Sequence, residues 1–154
     1  MTEQDIIVFV HEAVLNTYTK PGVMPNPVSL RPGADEFSYE RGDWKYLDSY
    51  AWRQDGGGEE FVYYQEKVVW VMNYYGFLIG EQDTKKIYGF LHEALRLRHP
   101  VLPVRGDAFE DPVRGLRYEI QFEKSEVANF VGTERIFKNG TKVYECYFHG
   151  GLVR

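Results

Sequence analysis

The stretch Val68–Ile79, VVWVMNYYGFLI, decides the fold, because it is the longest strongly β-forming run in the chain and a second copy of it stands near the end. Set beneath it, Lys142–Val153 reads KVYECYFHGGLV: Val69 falls on Val143, Trp70 on Tyr144, Tyr74 on Phe148, Gly76 on Gly150 and Leu78 on Leu152, all at one offset, 143 − 69 = 74. The same offset carries Gly58 onto Gly132 and Glu60 onto Glu134. Upstream, IIVFVHEAV (Ile6–Val14) is echoed by IYGFLHEAL (Ile87–Leu95), with Phe9 on Phe90 and His11-Glu12-Ala13 on His92-Glu93-Ala94, an offset of 90 − 9 = 81. A duplication explains both sets of matches, and the change of offset then reports a change of loop length.

Working outward, Gln4–Tyr18 reads as an amphipathic helix with Ile6, Phe9, Val10, Ala13, Val14 and Thr17 on one face and Thr2 or Asp5 as its cap. Thr84–Arg98 repeats the pattern with Ile87, Phe90, Leu91, Ala94 and Leu95, started by Thr84 or Asp83. Each helix runs into a breaker-rich segment, residues 19–36 and 99–115, long enough to serve as a lid or an ordered arm. Strands are expected at Phe37–Glu40, Trp44–Trp52, Glu60–Tyr64, Lys67–Ile79, Leu116–Glu123, Phe130–Lys138 and Thr141–Val153. Gln54–Glu59, with three consecutive glycines, reads as a flexible connection; it lacks the Lys and Ser/Thr of a phosphate-cradling loop. Asn139-Gly140 is a strong two-residue hairpin signal, and it stands 139 − 65 = 74 residues after Gln65-Glu66, where the first half needs its own hairpin.

The expected fold class is α+β: a helix-plus-antiparallel-strands unit (α-β-β-β) occurring twice with pseudo-twofold symmetry, two helices packed on a curved antiparallel sheet. No linker divides residues 1–154, so one domain with repeats at about 4–79 and 84–153 is expected.

Composition narrows the function. Twenty-three acidic against 18 basic side chains leave a net charge of −5 with no basic run, which argues against phosphate-backbone binding and hence against a nucleic-acid partner. The acidic N-terminus lacks a basic leader region, and the longest apolar run falls short of a bilayer span, so a cytoplasmic protein with no membrane partner is expected. The single Cys146 forms no internal disulfide. Aromatic residues make up 16% of the chain, a content suited either to a β-core or to a binding surface.

Alternation along the repeated strand separates two faces. Val68, Trp70, Met72 and Tyr74, with Lys142, Tyr144, Cys146 and Phe148, are assigned to the helices. Asn73, Tyr75, Glu145, Tyr147 and His149 fall on the other face among Val69, Val71 and Val143. Two readings of that polar face stand side by side. It lines an aromatic, acidic groove between the repeats, with Trp44 or Tyr46 adding flat surface and Glu145 favouring a cationic or aromatic ligand; or it is the solvated side of an antiparallel sheet. The alternative to a ligand is a protein-interaction module or homodimer using exposed aromatics such as Trp52, Tyr63 and Tyr64. A small hydrolase or lyase ranks third, because no catalytic residue, metal site or cofactor motif can be read. His11-Glu12 has no second His at helical spacing, Glu145 and His149 lie about 13 Å apart along their strand, and Cys146 falls on the buried side.

Three segments, RPGADEFSYERGDWKYLDSY (31–50), EEFVYYQEKVVWVMNYYG (59–76) and VYECYFHGG (143–151), resemble a family of small bacterial domains of unknown function. The resemblance implies a domain seen free-standing or fused to helix-turn-helix modules of the phage-repressor type, and through that fusion a sensing role; it carries over no catalytic residue. The element order is also similar to that of duplicated effector-binding domains of the gyrase-inhibitor-like kind, in which a small molecule sits between two repeats.

Overall fold

The computed structural model describes residues 1–100, 102 and 104–154. Two α-helices and eight strands are present among them: α1 (Glu3–Asn16), β1 (Asp35–Arg41), β2 (Trp44–Trp52), β3 (Gly56–Tyr64), β4 (Lys67–Leu78), α2 (Thr84–Leu95), β5 (Phe109–Asp111), β6 (Leu116–Glu126), β7 (Asn129–Lys138) and β8 (Thr141–Leu152). All strands join one antiparallel sheet in the order β1-β2-β3-β4-β8-β7-β6-β5, so the fold is α+β. Each helix is followed by four strands, as expected after α1 but one more than the three expected after α2. The extra strand of the second half is the three-residue β5, too short to announce itself by alternation.

The helices form where the apolar period predicts. Thr2 Oγ1 accepts from the Asp5 N–H at 3.2 Å and Asp5 Oδ2 accepts from the Thr2 N–H at 2.7 Å, a reciprocal box that satisfies two otherwise orphaned donors. Asp83 caps α2 through the Lys86 N–H at 3.2 Å. All six residues expected on the buried face of α1 are buried, and so are all five expected for α2. Gln65 and Glu66 adopt positive φ, 49° and 63°, as the tight β3–β4 hairpin demands; Asn139 and Gly140 do the same between β7 and β8.

β4 and β8 lie side by side at the centre, with Tyr74 opposite Phe148. On β3 and β7, Gly58 faces Tyr74 and Gly132 faces Phe148, so the two registers share the sequence offset, 132 − 58 = 148 − 74 = 74. Each central strand carries a bulge, and the residue left out of the pairing is Val69 in one and Val143 in the other. The bulges turn these two valines inward, where strict alternation would have placed Val68 and Lys142.

Gly56–Gly58 is not a flexible connection but the start of β3. A Cβ at Gly58 would come within 2.6 Å of the Tyr74 hydroxyl and 2.7 Å of the Ser49 carbonyl oxygen, so these glycines are pairing positions that leave room for neighbouring rings.

Both helices cover the face that carries Trp70, Met72, Tyr144, Cys146 and Phe148, and two apolar clusters result. One gathers α1 with Tyr46, Val62, Trp70, Met72 and Phe130. The other gathers α2 with Leu116, Tyr118, Ile136, Tyr144 and Cys146. Tyr18 and Tyr74 pack against both, which places them at the junction. The two irregular segments behave differently: Leu102, Val104 and Arg105 are driven into the core, whereas Met24, Val28 and Leu30 stand exposed.

Candidate ligand site

A cavity of about 330 Å³ opens at this junction, between α2 and the sheet. Tyr50 and Trp52 of β2, Tyr74 of β4, Tyr88 of α2 and Tyr144 of β8 supply aromatic walls, and Tyr18 and Phe37 add two more rings. Leu91 and Leu95 close it from α2, Val23 from the first irregular segment, and His92 is open to solvent at its edge. Two carboxyls and a guanidinium also reach it from strands and loop: Asp48, Glu60 and Arg105. Local periods set these walls. The two-residue period of β2 puts Asp48, Tyr50 and Trp52 on one face, and the helical spacing of Tyr88, Leu91, His92 and Leu95 turns one stripe of α2 toward them.

The charges are arranged unequally. Arg105, 6% exposed, donates to Glu134 through Nη2 at 2.5 Å and Nε at 3.1 Å, a forked pair, and Tyr118 Oη donates to the same carboxylate at 2.7 Å. The guanidinium also lies 5.8 Å from the ring centres of Tyr74 and Phe148. Asp48 accepts from Tyr74 Oη at 2.8 Å. Glu60 is 1% exposed and neither of its oxygens is met by a donor in hydrogen-bonding geometry; Arg105 Nη1 stands off at 3.9 Å.

Burial pushes the Asp48 carboxyl up to about 7, against the opposing pull of the Tyr74 hydroxyl and Arg105. Burial, with the Asp48 charge adding to it, pushes Glu60 up to about 8, against weaker pulls from Arg105 and the nearby, poorly aligned Tyr46 hydroxyl. Burial likewise raises the Tyr18 and Tyr74 hydroxyls and the Cys146 thiol, which leaves the thiol protonated and inert. The lining can therefore accept hydrogen bonds, stack flat groups and exchange a proton near neutral pH. Among the described residues no group of three or more His, Cys, Asp or Glu side chains is arranged to hold a metal ion.

Five of the seven residues singled out in the sequence lie together on the opposite, uncovered face of the sheet. Asn73 pairs with His149 and Tyr75 with Tyr147 across β4 and β8; Tyr75 and Tyr147 are 54% and 52% exposed. Glu145 is held there by Lys142, by Tyr147 Oη at 3.0 Å and by Arg135 at 3.6 Å. Burial acts to raise its carboxyl, but the hydrogen bonds from Lys142 and Tyr147 outweigh that and lower it. Trp44 and Tyr46 are on the helix side instead, Trp44 against Phe9 and Tyr64 and Tyr46 fully buried. The His-Glu dyads serve structure through their carboxylates: Glu12 takes Tyr39 and Arg41, and Glu93 takes Arg114. Sequence reasoning misses Asp48, Glu60 and Arg105 as site residues. The signals for them are slight: Asp48 interrupts an aromatic face, and Glu60 and Glu134 recur at the common offset.

A two-helix, eight-strand α+β domain with an aromatic cavity over buried carboxylates is what this geometry defines. The chain belongs to the family described as Domain of unknown function (DUF5680), whose model matches residues 48–153, a span that includes Asp48, Glu60, Arg105 and Glu134. No curated protein and no solved structure matches the chain. Among the described residues, no helix is long and apolar enough to cross a membrane.

Proposed function

We propose that the domain binds a small molecule in the cavity at the junction of its two apolar clusters, as a sensor or effector-type module. The observation that carries this reading is Glu60. A buried carboxylate with two unpartnered oxygens costs about 1–3 kcal/mol for each unsatisfied group, more when charged, and a ligand's donors would offset that cost. A lining of rings with a few convergent polar groups is the common form of such sites. We also infer that the chain is a doubled unit with a pseudo-twofold relation between its halves. The strand order, the shared offset of the two glycine registers and the matching bulges at Val69 and Val143 support that inference. In this scheme the ligand sits where the units meet, and the buried, reduced Cys146 suits a reducing cytoplasm.

Thermal-shift screening of a chemically diverse small-molecule panel tests the reading. Stabilising compounds should act saturably, and Val23→Trp, which fills the cavity from an irregular segment, should suppress them. Compounds that stabilise both proteins equally, or a panel with no stabiliser, would count against a ligand in this cavity.

A second reading concerns the uncovered face. Tyr75, Phe77 and Tyr147 form a row with ring centres 6.2 Å apart at each step, flanked by Asn73, Glu145 and His149, and such a row suits contact with a second copy of the chain.

A further inference from the structure

The two halves answer the same buried carboxylate in opposite ways. Around Glu134 stand Tyr118, Tyr144 and Arg105: the guanidinium donates twice, Tyr118 Oη donates at 2.7 Å and Tyr144 Oη lies at 3.4 Å. At the offset of 134 − 60 = 74 the counterparts are Glu60 and, since 144 − 70 = 74, Trp70. Tyr46 corresponds to Tyr118, because Tyr46 pairs with Val62 as Tyr118 pairs with Ile136, and 136 − 62 = 74. Every polar side-chain atom of this second constellation, Tyr46 Oη, both Glu60 oxygens and Trp70 Nε1, is buried without a hydrogen-bond partner. Arg31, the one arginine of the first irregular segment, is turned out to the surface, where it pairs with Glu59. Arg105 gives its forked pair to Glu134 and comes no nearer to Glu60 than 3.9 Å. Glu60 thus lines the cavity with both oxygens free of hydrogen bonds and only the more distant Arg105 guanidinium opposite it.

We propose that the ligand is an organic cation carrying a guanidinium or amidinium fork on a flat apolar body, which donates to Glu60 as Arg105 donates to Glu134 and stacks against the cavity's aromatic walls. This rests on the small-molecule reading above and deepens it. A forked donor matches two carboxylate oxygens at once, and a ring-sized body suits 330 Å³. Tyr18 and Tyr74 line the same cavity as Glu60 and supply rings a cation can approach, and Asp48 adds a second carboxyl within the same lining.

The test is calorimetric titration of the full chain with benzamidinium and with benzamide, its neutral near-isostere. Benzamidinium should bind saturably and at least tenfold more tightly than benzamide. Glu60→Gln should weaken benzamidinium at least tenfold, and the exposed change Glu3→Gln, equal in charge, should leave it unaltered. If Glu60→Gln fails to fold, the comparison of the two probes on the natural chain decides alone. Equal binding of benzamide and benzamidinium overturns the cationic assignment while the small-molecule reading stands. Binding of benzamidinium only after Arg31→Ala also overturns it, because the chain's own guanidinium would then be what Glu60 receives. Failure of benzamidinium to bind any of these proteins overturns it outright.

Discussion

Glu60 and Glu134 are the same residue type in the same kind of strand, both almost fully buried, yet only one of them should be costly to replace. Glu134→Gln leaves Arg105 charged in the interior without its forked partner, and loss of one member of such a pair costs about 3–5 kcal/mol. Glu60→Gln removes a buried charge that no hydrogen bond satisfies and that Arg105 opposes only from 3.9 Å, so stability at pH 8 should be unchanged or higher. Urea unfolding of the two variants checks this directly. The pH dependence follows from the same atoms. Both Asp48 and Glu60 have folded values raised above their ordinary carboxylate values, to about 7 and about 8. Their contribution is therefore fully present at acid pH below those ordinary values and is lost as pH rises through the folded values. Each group contributes a slope of up to about 1.4 kcal/mol per pH unit between those limits. Unfolding free energy should fall from pH 5 to pH 9, and Glu60→Gln should flatten that fall; parallel curves would contradict the burial of an ionisable Glu60. No reading of one sequence could supply this asymmetry, since it depends on Arg105 turning inward and Arg31 outward from two irregular segments that have no period to read.

At the scale of elements, the helices and hairpins are legible because each is specified locally. The buried faces of α1 and α2 follow from apolar spacing alone, and Asn139-Gly140 dictates its own turn. Gly56–Gly58 is not legible: three glycines read as flexibility, whereas the close approach of Tyr74, Ser49 and Tyr50 excludes a side chain at Gly58. Gly58→Ala should therefore destabilise by about 1–3 kcal/mol, the range for overpacking against atoms that cannot move aside. Gly89, exposed in the middle of α2 with nothing within 4 Å of the place a methyl group would take, is the opposite case. Gly89→Ala should stabilise by up to about 1 kcal/mol, the helix-propensity difference. Chemical denaturation of both variants separates a packing glycine from an expendable one; equal effects would contradict the register of β3 against β4.

For the whole molecule, alternation along β4 and β8 tells which side chains share a face but not what lies over each face. The polar set Asn73, Tyr75, Glu145, Tyr147 and His149 is gathered on the uncovered side, while the cavity is enclosed by residues from α2, β1, β2, β3, β4, β8 and both irregular segments. Such a site exists only once both apolar clusters have formed, since Tyr18 and Tyr74 belong to each. The two sides of the sheet thus make separable claims on a ligand. Backbone and side-chain NMR shifts recorded during titration with benzamidinium distinguish them most directly. Saturable perturbation should centre on Asp48, Glu60, Tyr18 and Arg105, with Tyr75, Tyr147 and His149 unmoved; perturbation centred on the uncovered face, or none at all, would contradict a ligand site built on Glu60.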